Sequence, residues 1–127
     1  MNAKPTSSAA APLILDEKAL AVLRELDPDG RHGVLLRVMR TFESSLLRLM
    51  TQTVEARDRG DLEAARHIAH TLKSSSASVG ALALSACCGD VERMVRTGDT
   101  ADIGARLENL LSEGERALAA VRAMLRT

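Results

Sequence analysis

Aromatic residues are all but missing from this 127-residue chain: Phe42 stands alone, with no Trp and no Tyr. That excludes the stacking platforms on which single-stranded nucleic acids are held. Strand-favouring aromatic and β-branched residues are scarce too, which argues against a sheet. Neither sign of charge dominates, with 17 basic and 17 acidic residues, so no basic face for nucleic-acid phosphates is expected. No run approaches the roughly 18 apolar residues of a membrane span. No Gly-rich phosphate loop of the Walker or Rossmann kind occurs, so the chain has no recognisable means of binding ATP and phosphorylating itself. The two cysteines, Cys87 and Cys88, are adjacent; they are poorly placed to pair with each other and fit a reducing compartment. The start, MNAKPTSSAAAPLIL, has one Lys and a broken apolar stretch. It reads poorly as a signal peptide, and a cytoplasmic location is expected.

What is present is Leu, Ala, Val and Met, in 46% apolar residues overall. Leu, Ala and Met are strong helix formers. The length suits one domain with a single core. Residues 1–12 are rich in Ala, Ser and Pro without periodicity and read as a flexible tail or linker; the folded unit is expected over 13–127. Asp16 precedes a short helical pattern with Leu20, Leu23 and Leu26 on one face, ended by Asp27-Pro28-Asp29-Gly30. A long pattern from about Gly33 to Arg59 carries Leu35, Met39, Phe42, Leu46, Leu49 and Thr53, and Gly60-Asp61 supplies a stop and a new cap. A third helix is predicted from Asp61 to about Val79, stopped by Gly80. The fourth runs from about Ala81 to Arg96 with Leu84, Cys87, Val91 and Val95 inward. The last starts near Thr100 or Asp102 and carries Ile103, Leu107, Leu110, Leu111, Leu118, Val121 and Leu125. Long amphipathic helices joined by short loops predict an all-α, up-and-down antiparallel four-helix bundle, with a short extra N-terminal helix against it.

The third helix is the unusual one. At roughly 100° per residue, Leu62, Ala65, Ala69, Leu72, Ser76 and Val79 form one stripe, and His70 lies on the order of 130° from its centre, facing solvent. His67 shares the outward face. Beyond His70 come Ser74, Ala77 and Ser78, all small, where an ordinary solvated face would carry Glu, Lys, Arg or Gln. A nucleophile above so low a floor suggests that another protein's surface comes close to the helix. Lys73, three residues on, lies beside His70. Its charge disfavours the imidazolium form and would stabilise a transferring phosphoryl group. Taken singly, each of these residues is also explained as part of a Ser-rich helix end and a solubilised surface.

The string Ala69-His70-Thr71-Leu72-Lys73-Ser74-Ser75-Ser76-Ala77-Ser78-Val79-Gly80-Ala81 resembles the signature of the histidine-containing phosphotransfer (HPt) family, His-x-x-Lys-Gly with a second Gly ten residues after the His. Gly60-Asp61 resembles the turn that opens the family's phosphorylated helix. Leu84, Cys87 or Cys88, and Val91-Glu92 resemble its following Leu…Cys…Leu-Glu helix, and Phe42 sits where the family often has a single Phe. The resemblance covers roughly residues 15–125. Ser74 departs from it, standing where the signature has Gly; its hydroxyl could hydrogen-bond a phosphoryl group on His70. The resemblance implies a phosphocarrier with no ATP site of its own, a relay intermediate of two-component systems. His70 would accept a phosphoryl group from a receiver-domain Asp and pass it to another receiver, with Lys73 stabilising charge. Arg66, His67, Ser74, Ala77 and Ser78 would form the docking surface, and Gly80 the structural turn. Partners would be receiver domains of response regulators or hybrid sensor kinases, which would bring the Mg²⁺; the chain itself would act as a monomer without a cofactor.

Two other readings compete. A helical bundle can regulate a partner by binding alone, although binding needs no neutral imidazole beside a Lys. A metal site could draw on His67, His70 and the cysteines, but Cys87 falls on the core stripe and no carboxylate completes a pattern with the pair. No metal is expected.

Overall fold

The computed structural model describes residues 14–126; the tail read over residues 1–12 lies outside the described residues. Five helices follow in order: α1 (Glu17–Glu25), α2 (Val34–Arg59), α3 (Leu62–Ser78), α4 (Leu82–Thr97) and α5 (Ile103–Leu125). Among the described residues there is no strand. The connections after α2, α3 and α4 are two to five residues long, so each helix turns back beside its predecessor. Helix α3 packs between α2 and α4, and α5 closes the ring by packing between α4 and α2. The architecture is the all-α bundle that the hydrophobic periodicity predicts.

The helix boundaries follow from local chemistry. The Asp16 carboxylate accepts the Ala19 N–H at 3.1 Å to start α1, and Asp61 does the same for Ala64 to start α3. Between them, Gly60 takes a left-handed φ of 66° that ends α2. Helix α2 has no side-chain cap on its own N-cap residue, Gly33. The cap comes from a distance: the buried Asp27 carboxylate accepts the N–H groups of His32 and Val34 at 3.1–3.2 Å. Asp27, read as part of a helix stop, therefore also fixes where α2 begins.

Gly80 has a positive φ of 86° and is buried. Its carbonyl accepts the Asp16 N–H at 2.8 Å. A Cβ added there would lie 2.6 Å from Asp16 N, so only glycine allows α1 to lie against the α3–α4 turn. Leu15 and Leu20 fill the core beneath.

The core uses the predicted stripe of α2: Met39, Phe42, Leu46, Leu49 and Thr53 are buried, with Leu35 packed at its edge. Three expectations need correction. Leu26 is exposed, because α1 ends at Glu25 and Leu26 is already its C-cap. On α4, Cys88 rather than Cys87 is fully buried. Met94 is buried while Val95 is half-exposed. The inward positions on α4 run 84, 88, 91, 94, so a seam that begins with Leu84 takes its next step as four residues, not three.

Candidate functional site

His70 sits in the middle of α3, flanked by the buried Ala69 and Leu72 that orient the helix. Its side chain is 64% exposed. The Nδ1 atom lies 2.6 Å from Oε2 of Glu92 on α4. The other oxygen of that carboxylate, Oε1, accepts the Lys73 ammonium at 2.7 Å. One carboxylate thus clamps both the imidazole and the cation. Glu92 is only 12% exposed, and it is held below the usual carboxylate range by the Lys73 ammonium first and by His70 second. An ionised carboxylate can only accept, so in the neutral ring the proton sits on Nδ1 and the lone pair is on Nε2. Nothing within the described chain occupies Nε2.

One feature of α4 supports the clamp. Ser85 Oγ donates to the Lys73 carbonyl at 2.9 Å, tying the start of α4 to α3.

The sequence reading put Lys73 beside His70 as a direct electrostatic neighbour. The structure puts Glu92 between them, and the Lys73 charge is compensated by it. Glu92 entered the sequence reading only as part of a family-like string. By spacing it adjoins Val91 on α4, and its buried ion pair needs the relative rotation of two helices, which spacing on one helix does not carry.

The other candidate residues share the outward face of α3 with His70. His67, Ser74, Ala77 and Ser78 are exposed. Arg66 is half-buried and hydrogen-bonds Glu63 through Nε at 3.1 Å. Beside Ser75 and Ser78 an open groove of about 560 Å³ runs between α3 and α2. Its apolar wall is Val34, Val38 and Phe42, and Arg37, Thr41 and Ser45 line it with polar groups. Sequence alone does not place these α2 residues, since the face of α2 that adjoins Ser75 and Ser78 depends on how the two helices pack.

His67, His70, Cys87 and Cys88 form no group close enough to share an ion. Among the described residues such a group is Asp27, Asp29 and His32 in the α1–α2 loop, where both Asp27 oxygens already accept N–H groups. Burial pushes the Cys88 thiol up to about 12, which makes it an apolar filler rather than a ligand or nucleophile. No helix among the described residues is long and apolar enough to cross a membrane.

Comparison with known proteins agrees with this geometry. A family model described as "Hpt domain" matches residues 37–126. The crystal structure of histidine-containing phosphotransfer protein B (HptB) from Pseudomonas aeruginosa PAO1 superposes with a TM-score of 0.72 at 29% sequence identity, covering 89% of this chain and 91% of that one. A search of curated proteins returns no match. With the family model spanning most of the chain, and an exposed imidazole held on a four-helix bundle, the chain belongs to the Hpt domain family and has a histidine phosphotransfer role.

Proposed function

We propose that the chain is a phosphorelay intermediate: His70 accepts a phosphoryl group from the aspartyl phosphate of one receiver domain and donates it to the aspartate of another. The observation that carries this reading is the Glu92 clamp: its carboxylate lies 2.6 Å from Nδ1, which favours the tautomer with the proton there and with Nε2 as the nucleophile on an exposed ring.

The steps balance. The Nε2 lone pair attacks phosphorus, the N–P bond forms, and the P–O bond to the receiver aspartate breaks, releasing its carboxylate. The Nδ1 proton stays in place. The ring becomes cationic, and the Glu92 carboxylate stabilises that charge where it develops. In the return step a second receiver's carboxylate attacks phosphorus, the N–P bond breaks, and neutral imidazole leaves. Lys73 acts chiefly as counter-ion to Glu92, keeping a nearly buried carboxylate ionised. Mg²⁺ belongs to the receiver side, where it offsets charge on the transferring group. The chain then acts as a phosphocarrier rather than an enzyme.

Docking uses the low floor of Ser74, Ala77 and Ser78 and the adjoining α2–α3 groove, with Arg66 and His67 at the other end of the face. A receiver surface can approach the α3 backbone here, and the wall of Val34, Val38 and Phe42 accepts an apolar side chain.

The test is transfer from a purified receiver domain radiolabelled as its aspartyl phosphate. Label should reach the wild type, resist alkali and be lost in acid, and it should not reach His70→Gln. A receiver that binds wild type and His70→Gln equally, with no label moving to either, would instead favour a bundle that regulates by binding alone.

A further inference from the structure

The hydroxyl groups around His70 are not equivalent. Ser75 Oγ donates to the Leu72 carbonyl at 3.2 Å, and Ser78 Oγ donates to the Ser74 carbonyl at 3.1 Å. Ser85 Oγ donates to the Lys73 carbonyl. Thr51, Thr53 and Thr97 likewise satisfy the carbonyl four residues before them. Each of these hydroxyls is spent on the helix backbone. Ser74 is different: it is exposed, and its own hydroxyl has no partner within the described chain. It lies one turn after His70, where Cβ atoms are about 5–6 Å apart, and its Cβ tilts back toward His70 because side chains lean toward the helix N-terminus. The two cations nearest His70 on α3 are already engaged, Lys73 with Glu92 and Arg66 with Glu63. A phosphoryl group on Nε2 brings up to about two negative charges and three strong acceptor oxygens. Thr71 is likewise exposed with no hydroxyl partner within the described chain, but it lies about 100° around the helix from His70; Ser74 is the uncommitted hydroxyl on the His70 face, and its direction suits them.

We infer that the Ser74 hydroxyl donates a hydrogen bond to the phosphoryl group carried on His70 Nε2, which makes Ser74 a further phosphoryl-binding residue and draws the transfer equilibrium toward the phosphohistidine. This rests on His70 being the carrier.

Thermodynamics separates the contact from docking. Surface complementarity with a receiver exists only in the complex and changes forward and reverse rates alike. It cannot alter the equilibrium constant between the separated partners. A hydrogen bond within the phosphorylated chain persists after the receiver leaves, so it must alter that constant. A charge-assisted hydrogen bond on an exposed surface corresponds to about a five- to tenfold change.

Wild type, Ser74→Ala, Ser74→Gly and Ser74→Thr would each be brought to equilibrium with one radiolabelled receiver domain, with His70→Gln as control and circular dichroism as a check of helix content. The ratio of labelled bundle to labelled receiver should fall about five- to tenfold for Ser74→Ala and Ser74→Gly, and Ser74→Thr should stay near wild type. An unchanged ratio, with only the approach to equilibrium faster or slower, overturns the inference and leaves Ser74 a docking residue. A wild type that takes no label, or a His70→Gln variant that takes as much, overturns the carrier reading itself, a failure distinguishable from the first because it does not depend on position 74.

Discussion

Replacing Glu92 by Gln keeps the shape of the side chain and removes its charge. In the present structure the carboxylate offers one oxygen to His70 Nδ1 at 2.6 Å and the other to Lys73 Nζ at 2.7 Å. A Gln has a single acceptor oxygen. If that oxygen serves Nδ1, the amide NH₂ faces the Lys73 ammonium, donor against donor. Lys73 then swings to solvent and the clamp becomes a neutral hydrogen bond. Attack by Nε2 turns the ring from neutral to cationic, so the rate depends on how much the Nδ1 contact strengthens along the way. A neutral hydrogen bond contributes about 1 kcal/mol and one to a charged group about 1.5–3 kcal/mol. The difference, about 0.5–2 kcal/mol, corresponds to a rate lower by roughly 2- to 30-fold. The assay is single-turnover transfer from a saturating labelled phospho-receiver, quenched on the second timescale, with ¹⁵N imidazole shifts reporting the tautomer. Transfer as fast as wild type, or faster because a negative charge near the incoming phosphoryl group has gone, would refute the assignment of Glu92 as the group that stabilises the charged ring.

Three further outcomes follow from the packing. Gly80→Ala must place a methyl 2.6 Å from Asp16 N at a φ of 86°. The backbone strain alone costs on the order of 1–3 kcal/mol, so urea unfolding followed by circular dichroism should show a clear drop in midpoint, with fast amide exchange at Asp16. Ser76 Oγ is buried with no hydrogen-bond partner. Ser76→Ala removes that unsatisfied group and should raise stability by about 1 kcal/mol, and a loss of stability would show that the hydroxyl has a partner in solution. Glu92 and Asp27 both titrate below the ordinary carboxylate range: Glu92 because of Lys73 and then His70, Asp27 because the N–H groups of Val34 and His32 outweigh its burial. A depressed carboxylate contributes stability that is present above its unfolded value and lost as pH falls through its folded one. The melting temperature should therefore hold down to about pH 5 and decline below about pH 4, and Glu92→Gln should make the decline shallower.

The parts of the fold legible in the sequence are those decided within one helix. About five turns of α2 repeat an apolar stripe, and five of the six residues read from it are buried. Capping residues are equally local: Asp16, Gly60, Asp61 and Gly80 announce ends because their side-chain oxygens or positive φ angles act on the next few residues. Where two readings are chemically alike, the sequence loses resolution. Cys87 and Cys88 are identical residues about 100° apart around the helix, and only the packing of α4 against its neighbours selects Cys88. Small residues mislead in another way. Gly114 and Ala117 carry too little apolar surface to mark a stripe, yet both are buried. A Cβ on Gly114 would lie 3.0 Å from Met50 Sδ, so a larger residue there would make the Met50 side chain of α2 shift where it packs on α5.

The site divides along the same line. His70 could be placed from its angle to the stripe of its own helix, because exposure of one residue on one helix is a local property. Glu92 could not. A charged residue beside Val91 and Met94 on α4 has an unremarkable sequence context, and nothing within α4 distinguishes it from Arg93 or Arg96. What makes it functional is an azimuth shared by two helices, so that one carboxylate reaches the imidazole and the ammonium together at 2.6 and 2.7 Å. The Ser85–Lys73 hydrogen bond serves that alignment. Lys73 at the third position after His70 would look the same in sequence whether it faced the incoming phosphoryl group or the buried carboxylate. The interhelical geometry favours the carboxylate, and this is why a Lys73 variant should act through Glu92: once Glu92 is Gln, removing the Lys73 charge should cost transfer little more.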